Sequence, residues 1–145
     1  MSNEAFIARL KAHDLKATPQ RIAVHEAMVE LGHANAAQVS EFIERKGETK
    51  ITLASIYNIL CQLAVLGIYS YRNSASNKMY FDVNTRKHVH LYDKQTDTYV
   101  DVDDEELCSQ IDSYIKKKRF RGYKVEGYDL NILCHPSGRK STNRK

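Results

Sequence analysis

Two histidines separated by one residue, His88 and His90, are the side chains in this sequence best placed to do chemistry. On an extended segment alternate residues point to one face, so both imidazoles can reach a single divalent metal ion. Asp82 lies six residues before His88 and Asp101 eleven after His90, each in a run rich in Tyr, Phe and Val that reads as a strand. Either carboxylate could complete a His/Asp cage, and His33, far upstream, is a further candidate ligand. The bland reading of the pair is two solvated strand histidines, and the pair alone does not decide between them.

The remaining chain must position these residues. Its 145 residues with 42% hydrophobic content suffice for one ordinary domain or two small packed ones. The net charge of +4 permits a polyanionic partner without requiring one. The excess leans toward the first 87 residues, because Arg139, Lys140, Arg144 and Lys145 fall in a polar basic tail, residues 137–145, expected to be disordered. Cys61, Cys108 and Cys134 are odd in number, widely spaced and without a C-x-x-C pair, which argues against a disulfide framework and against a cysteine zinc cluster. A reducing cytoplasm fits that usage. With neither a signal-like start nor an apolar run near the roughly 18 residues of a membrane span, a soluble protein with no membrane partner is expected.

From Glu4 to Gly67 apolar residues recur at helical spacing. Thr18-Pro19 opens a helix with Ile22, Val24, Ala27, Met28 and Leu31 on its core face, and Gly32 stops it. Asn35 caps a helix that turns Val39, Phe42 and Ile43 inward. Thr52 caps another with Leu53, Ile56, Ile59, Leu60, Leu63 and Leu66 apolar, ended by Gly67. Alternation then takes over, with Ile68–Arg72 and Lys78–Asp82 reading as a hairpin around a polar loop, Asn73–Asn77. Helices followed by a hairpin give the order of a winged helix-turn-helix, over residues 1–84, or else a generic helical domain with a hairpin.

Residues 88–136 read as strand (His88 to Tyr92), turn, strand (Thr98 to Val102), helix (about Asp103 to Arg119) and strand (Tyr123 to Leu133). The helix has acids in its first turn and Lys116, Lys117, Lys118 and Arg119 in its last, which matches its dipole; the basic run reads as a helix end rather than a nucleic-acid patch. The fold class is therefore α+β, a winged helix followed by a small α/β domain. Three strands and one helix are too few to stand comfortably alone, which predicts a homodimer; a dimer also doubles the base pairs read on a palindromic site.

Leu15-Lys16-Ala17-Thr18-Pro19-Gln20-Arg21, His33 after a helix, Leu53 to Leu60, Leu66-Gly67-Ile68 and His88-Val89-His90 resemble, in order and spacing, the ferric uptake regulator family, from about residue 10 to 134. The resemblance implies a dimeric, metal-dependent transcription regulator, a repressor, with an N-terminal winged helix on double-stranded DNA and a C-terminal α/β dimerisation domain. It places the family's regulatory metal site on His33, Asp82, His88, His90 and Asp101, clamping the two domains. Three imidazoles and two carboxylates suit Fe(II), Mn(II) or Zn(II). Aspartate at 101, where the family often has glutamate, resembles the peroxide-sensing branch, in which ligated Fe(II) reacts with peroxide and a histidine ligand is oxidised.

The resemblance also puts Ser55, Tyr57 and Asn58 on the recognition helix, Lys16 in the adjacent minor groove of an A·T-rich palindromic operator, and Arg21 on a phosphate. The alternatives are a surface charge for Arg21 and a half-buried core aromatic for Tyr57.

Two departures stand out. The family's structural zinc takes two C-x-x-C pairs, and the corresponding residues here are Asp93, Thr96, Cys134 and Ser137, with one thiol of four. A further family metal site is also lost, with Lys87, Val89, Cys108 and Glu126 at its approximate positions. Cys134 reads as a small apolar strand residue, although Cys134-His135-Pro136 also permits haem, which keeps a haem- or partner-responsive regulator open. A small metalloenzyme is the other class, but no general base, nucleophile motif or phosphate loop accompanies the cage.

Overall fold

The computed structural model describes residues 1–84 and 88–138, and the tail from Arg139 onward and Lys87 lie outside the described residues. The chain divides into two compact units, Met1–Thr85 and Arg86–Lys145.

The first unit holds four helices: α1 (Asn3–Ala12), α2 (Pro19–Leu31), α3 (Ala36–Lys46) and α4 (Leu53–Val65). Each begins where a side-chain oxygen accepts an orphan backbone N–H: Ser2, Thr18, Asn35 and Thr52. Asn35 and Gln38 form a reciprocal capping box, Gln38 N donating to Asn35 Oδ1 at 2.8 Å and Asn35 N to Gln38 Oε1 at 3.0 Å. Between α2 and that cap stands a two-residue strand, β1 (His33–Ala34), absent from the sequence reading because two residues carry no periodicity. Gly32, at φ +76°, turns the chain from α2 into it.

The wing is β2 (Ser70–Asn73) and β3 (Met79–Asp82), a little shorter than expected, and the sheet order is β1-β3-β2. Its core contains Phe6, Leu10, Val24, Ala27, Met28, Val39, Ile43, Ile56, Leu60, Leu63, Ile68, Tyr69 and Phe81. Ile22, Leu31, Phe42, Ile59 and Leu66 line its margin. Leu53, one of the apolar residues of α4, is exposed. His25, which periodicity does not single out, is fully buried. Its Nε2–H donates to the Met1 carbonyl (2.9 Å), leaving Nδ1 to accept from the Tyr69 hydroxyl (2.7 Å), and Phe6 stacks on the ring at 4.0 Å. Both polar ring atoms are thereby satisfied.

The second unit has β4 (Val89–Asp93), β5 (Thr98–Val102), α5 (Glu105–Lys117) and β6 (Asn131–Cys134), in sheet order β5-β4-β6. β4 and β5 are antiparallel, and β6 runs parallel to β4. Asp104 caps α5, so the helix is a turn shorter than the charge pattern suggests. The last strand is a correction: expected from Tyr123, it starts at Asn131, which pairs with His90. Residues 123–130 form no strand, although the Leu130 carbonyl accepts from His90 N at 3.0 Å and leads the chain into β6. Val89, Tyr92, Tyr99 and Cys108 form the small core.

Candidate metal centre and DNA-reading surface

The candidate ligands are placed by strand register. In the first unit His33 on β1 and Asp82 on β3 are direct partners. Their side chains are almost wholly buried, with His33 Nε2 3.4 Å from Asp82 Oδ2, while Asp82 Oδ1 accepts from Asn84 N at 2.8 Å. The carboxylate is thus held by the backbone on one oxygen and faces an imidazole with the other.

In the second unit His90 and Asp101 are cross-strand partners, and His88 precedes β4 rather than lying within it. Asp101 Oδ1 nevertheless meets both rings, 3.1 Å from His88 Nε2 and 3.3 Å from His90 Nε2. Ligands about 2.0–2.2 Å from one ion stand roughly 3.0–3.4 Å apart in octahedral or tetrahedral geometry, which is the spacing within each set. Mixed imidazole and carboxylate donors fit a divalent first-row ion, so the residues present suit the metal that the sequence implies.

Sequence reasoning missed Asp129. Its Oδ1 lies 3.8 Å from His90 Nδ1, the ring atom turned away from Asp101, which is ion-pair range and beyond hydrogen-bond length. Only the pairing of β6 with β4 brings it there, and no local signal marks it.

The positions where the resemblance would put the structural zinc make other contacts. Asp93 accepts from Gln95 N (2.9 Å) and Thr96 N (3.3 Å), closing the β4–β5 turn. Burial alone would raise its pKa, but the Thr96 and Gln95 hydrogen bonds, with the His135 charge, bring it below the ordinary value. Cys134, the strand partner of Asp93, is half-buried and directs its thiol to the Tyr92 carbonyl at 3.5 Å. Cys108 is buried and its carbonyl accepts from the Tyr128 hydroxyl at 3.3 Å; the Cys108 thiol beside that hydroxyl, with burial, pushes it up to about 12.

On α4, Tyr57 and Asn58 are exposed and Ser55 is half-buried. Tyr57 is not a core aromatic: 46% exposed, its hydroxyl lies 3.9 Å from Met79 Sδ on the wing. Lys16 is exposed in the loop before α2, and Arg21 is half-buried at that helix's start.

A family model described as "Ferric uptake regulator family" matches residues 12–133. The chain belongs to that family. Membership makes this family member a metal-dependent DNA-binding transcription regulator, and regulators of the family bind DNA and act as dimers. Its fold is shared with the Vibrio cholerae ferric uptake regulator, at 22% identity and a TM-score of 0.73 over 90% of this chain and 98% of that one. The Pseudomonas aeruginosa ferric uptake regulator with manganese gives 20% and 0.71 over 90% and 96%. The Campylobacter jejuni peroxide stress regulator gives 23% and 0.67 over 94% and 97%. No curated protein matches by sequence. Among the described residues, no helix is long and apolar enough to cross a membrane.

Proposed function

We propose that this regulator acts as a cytoplasmic homodimeric repressor in which one divalent ion, Fe(II), Mn(II) or Zn(II), is held jointly by His33 and Asp82 of the DNA-binding unit and His88, His90 and Asp101 of the second unit. The observation that carries the reading is the convergence of His88 Nε2 and His90 Nε2 on one oxygen of Asp101. Paired with His33 and Asp82, that set would complete a five-donor clamp. Domain boundaries near residues 84 and 88 leave the connection between the units short, so ligation favours one mutual arrangement over the open ensemble. That arrangement presents two copies of α4 at the spacing of an A·T-rich palindrome, with Ser55, Tyr57 and Asn58 toward the major groove, Lys16 toward the minor groove and Arg21 beside them.

Dimerisation uses the second unit. Ile132 and Leu133 of edge strand β6 are 40% and 62% exposed, and edge strands of this kind pair with another chain. Aspartate at 101 supports peroxide sensing. Fe(II), if bound, would supply redox chemistry toward peroxide; His88 and His90 would be among the residues holding it, and loss of one of these donors would release the clamp.

The test is an operator titration by fluorescence anisotropy on metal-stripped protein, with Fe(II), Mn(II) or Zn(II) added separately without oxygen and peroxide then added to each. Binding that requires metal, and is destroyed by peroxide only in the iron form, is expected. Equal binding with and without metal would refute the clamp.

A further inference from the structure

Arg21 does not simply extend toward solvent at the start of α2. Its Nη1 donates to the Lys16 carbonyl at 2.8 Å, and its Nη2 donates to Gln62 Oε1 on α4 at 3.1 Å. Its own backbone N–H donates to Thr18 Oγ1, the cap of α2, at 3.2 Å. One residue therefore joins three pieces of the DNA-binding unit: the loop carrying Lys16, the first turn of α2 and α4. A planar guanidinium can donate to two acceptors on two elements at once, which a lysine ammonium on a flexible stem cannot do with fixed geometry.

The two elements so joined are those that carry the proposed minor-groove and major-groove contacts. Gln62 lies one helical turn from Asn58 on α4, and Gln20, Arg21, Ser55, Asn58, Ile59 and Gln62 line one polar depression of about 460 Å³ on that surface. Its wall thus includes Ser55 and Asn58, two of the side chains that would read the operator. A shift of α4 relative to the Lys16 loop would misplace one set of contacts whenever the other was made.

We infer that Arg21 and Gln62 are positioning residues for operator recognition, the Arg21 guanidinium bridging Lys16 O and Gln62 Oε1 to fix the distance between the minor-groove loop and the recognition helix. The inference rests on the reading of α4 and Lys16 as the DNA-contacting elements. It differs from a phosphate-anchor role for Arg21, in which charge alone matters and Gln62 is a bystander.

The experiment compares Arg21→Lys, Gln62→Met, the double variant and Asn58→Ala, each as full-length Mn(II)-loaded protein, by operator affinity at several salt concentrations. A charge-assisted hydrogen bond is worth about tenfold or more in an equilibrium. Arg21→Lys and Gln62→Met should each weaken specific binding by about tenfold, with an unchanged salt slope, and the double variant should be no worse than the weaker single one, since both remove one bridge. Gln62 is exposed, so Gln62→Met tests the bridge even where Arg21→Lys lowers stability. Near-native binding by both Arg21→Lys and Gln62→Met, while Asn58→Ala binds poorly, would overturn the bridge and leave the recognition surface standing. Unchanged binding by Asn58→Ala together with both bridge variants would remove the surface reading itself.

Discussion

His33 and Asp82 are cross-strand partners, with Nε2 3.4 Å from Oδ2, although 48 positions separate them in the chain. If one ion joins this pair to His88, His90 and Asp101, His33→Ala should lower the affinity of the same single site by more than about tenfold, a loss at least as large as that from removing an outer partner. Metal titration by calorimetry reads this directly. An unchanged affinity, with one ion still bound, would place the ion on the second unit alone.

The His25–Tyr69 pair should make the first unit sensitive to acid. Burial holds the His25 pKa below 6.5, with the Met1 hydrogen bond only partly offsetting it, so the unfolded chain takes up the proton first. The stability due to neutral His25 is therefore complete above pH 6.5 and is lost as pH falls from there through the folded value. Tyr69→Phe should cost about 1–3 kcal/mol by leaving Nδ1 buried without its donor. Urea melts of wild type and His25→Gln at about pH 7.5 and 5.5 check the sign: the drop toward acid should be smaller in the variant.

Chelation should leave the chain folded. With one thiol among the four positions that the resemblance assigns to the family's structural zinc, and Asp93 occupied in closing the β4–β5 turn, the second unit is expected to hold without a cysteine-held zinc. Stripping the metal should lower the melting temperature only by the linkage expected of a bound ligand, with helix content by circular dichroism unchanged below the transition. Collapse of the circular dichroism signal on chelation would show a structural metal.

The dimer should be sensitive at the β6 edge. Leu133→Glu places a charge on a strand whose neighbour within the chain covers only one side. Sedimentation equilibrium should show association weakened by at least about tenfold relative to wild type, since a charge left unpaired in an interface costs well over 1.4 kcal/mol. A dimer of unchanged affinity would move the interface elsewhere.

Much of the fold is legible because it depends on local signals. Thr18, Asn35 and Thr52 announce three helices by their capping oxygens, and each accepts the backbone N–H three residues on. The hairpin follows from alternation around a Ser/Asn loop, and α5 from its acidic start and basic end. What escaped has no local signature. β1 is two residues long, β6 starts only where β4 offers a partner, and His25 lies among helical positions that give no hint of its burial.

The metal residues divide in the same way. Residue types, the His88-Val89-His90 spacing and the resemblance to the ferric uptake regulators nominate His33, Asp82, His88, His90 and Asp101 as candidate ligands. Register decided the rest: β1 against β3 sets His33 opposite Asp82, β4 against β5 sets His90 opposite Asp101, and β6 against β4 brings Asp129 to the far side of the His90 ring. By itself the sequence determined which side chains can ligate and which elements carry them, because capping, alternation and ligand chemistry act within a few residues. Only the tertiary structure decided which of them meet, and that Arg21 points inward to Lys16 and Gln62, because contacts between distant segments depend on strand pairing and packing that no local pattern encodes.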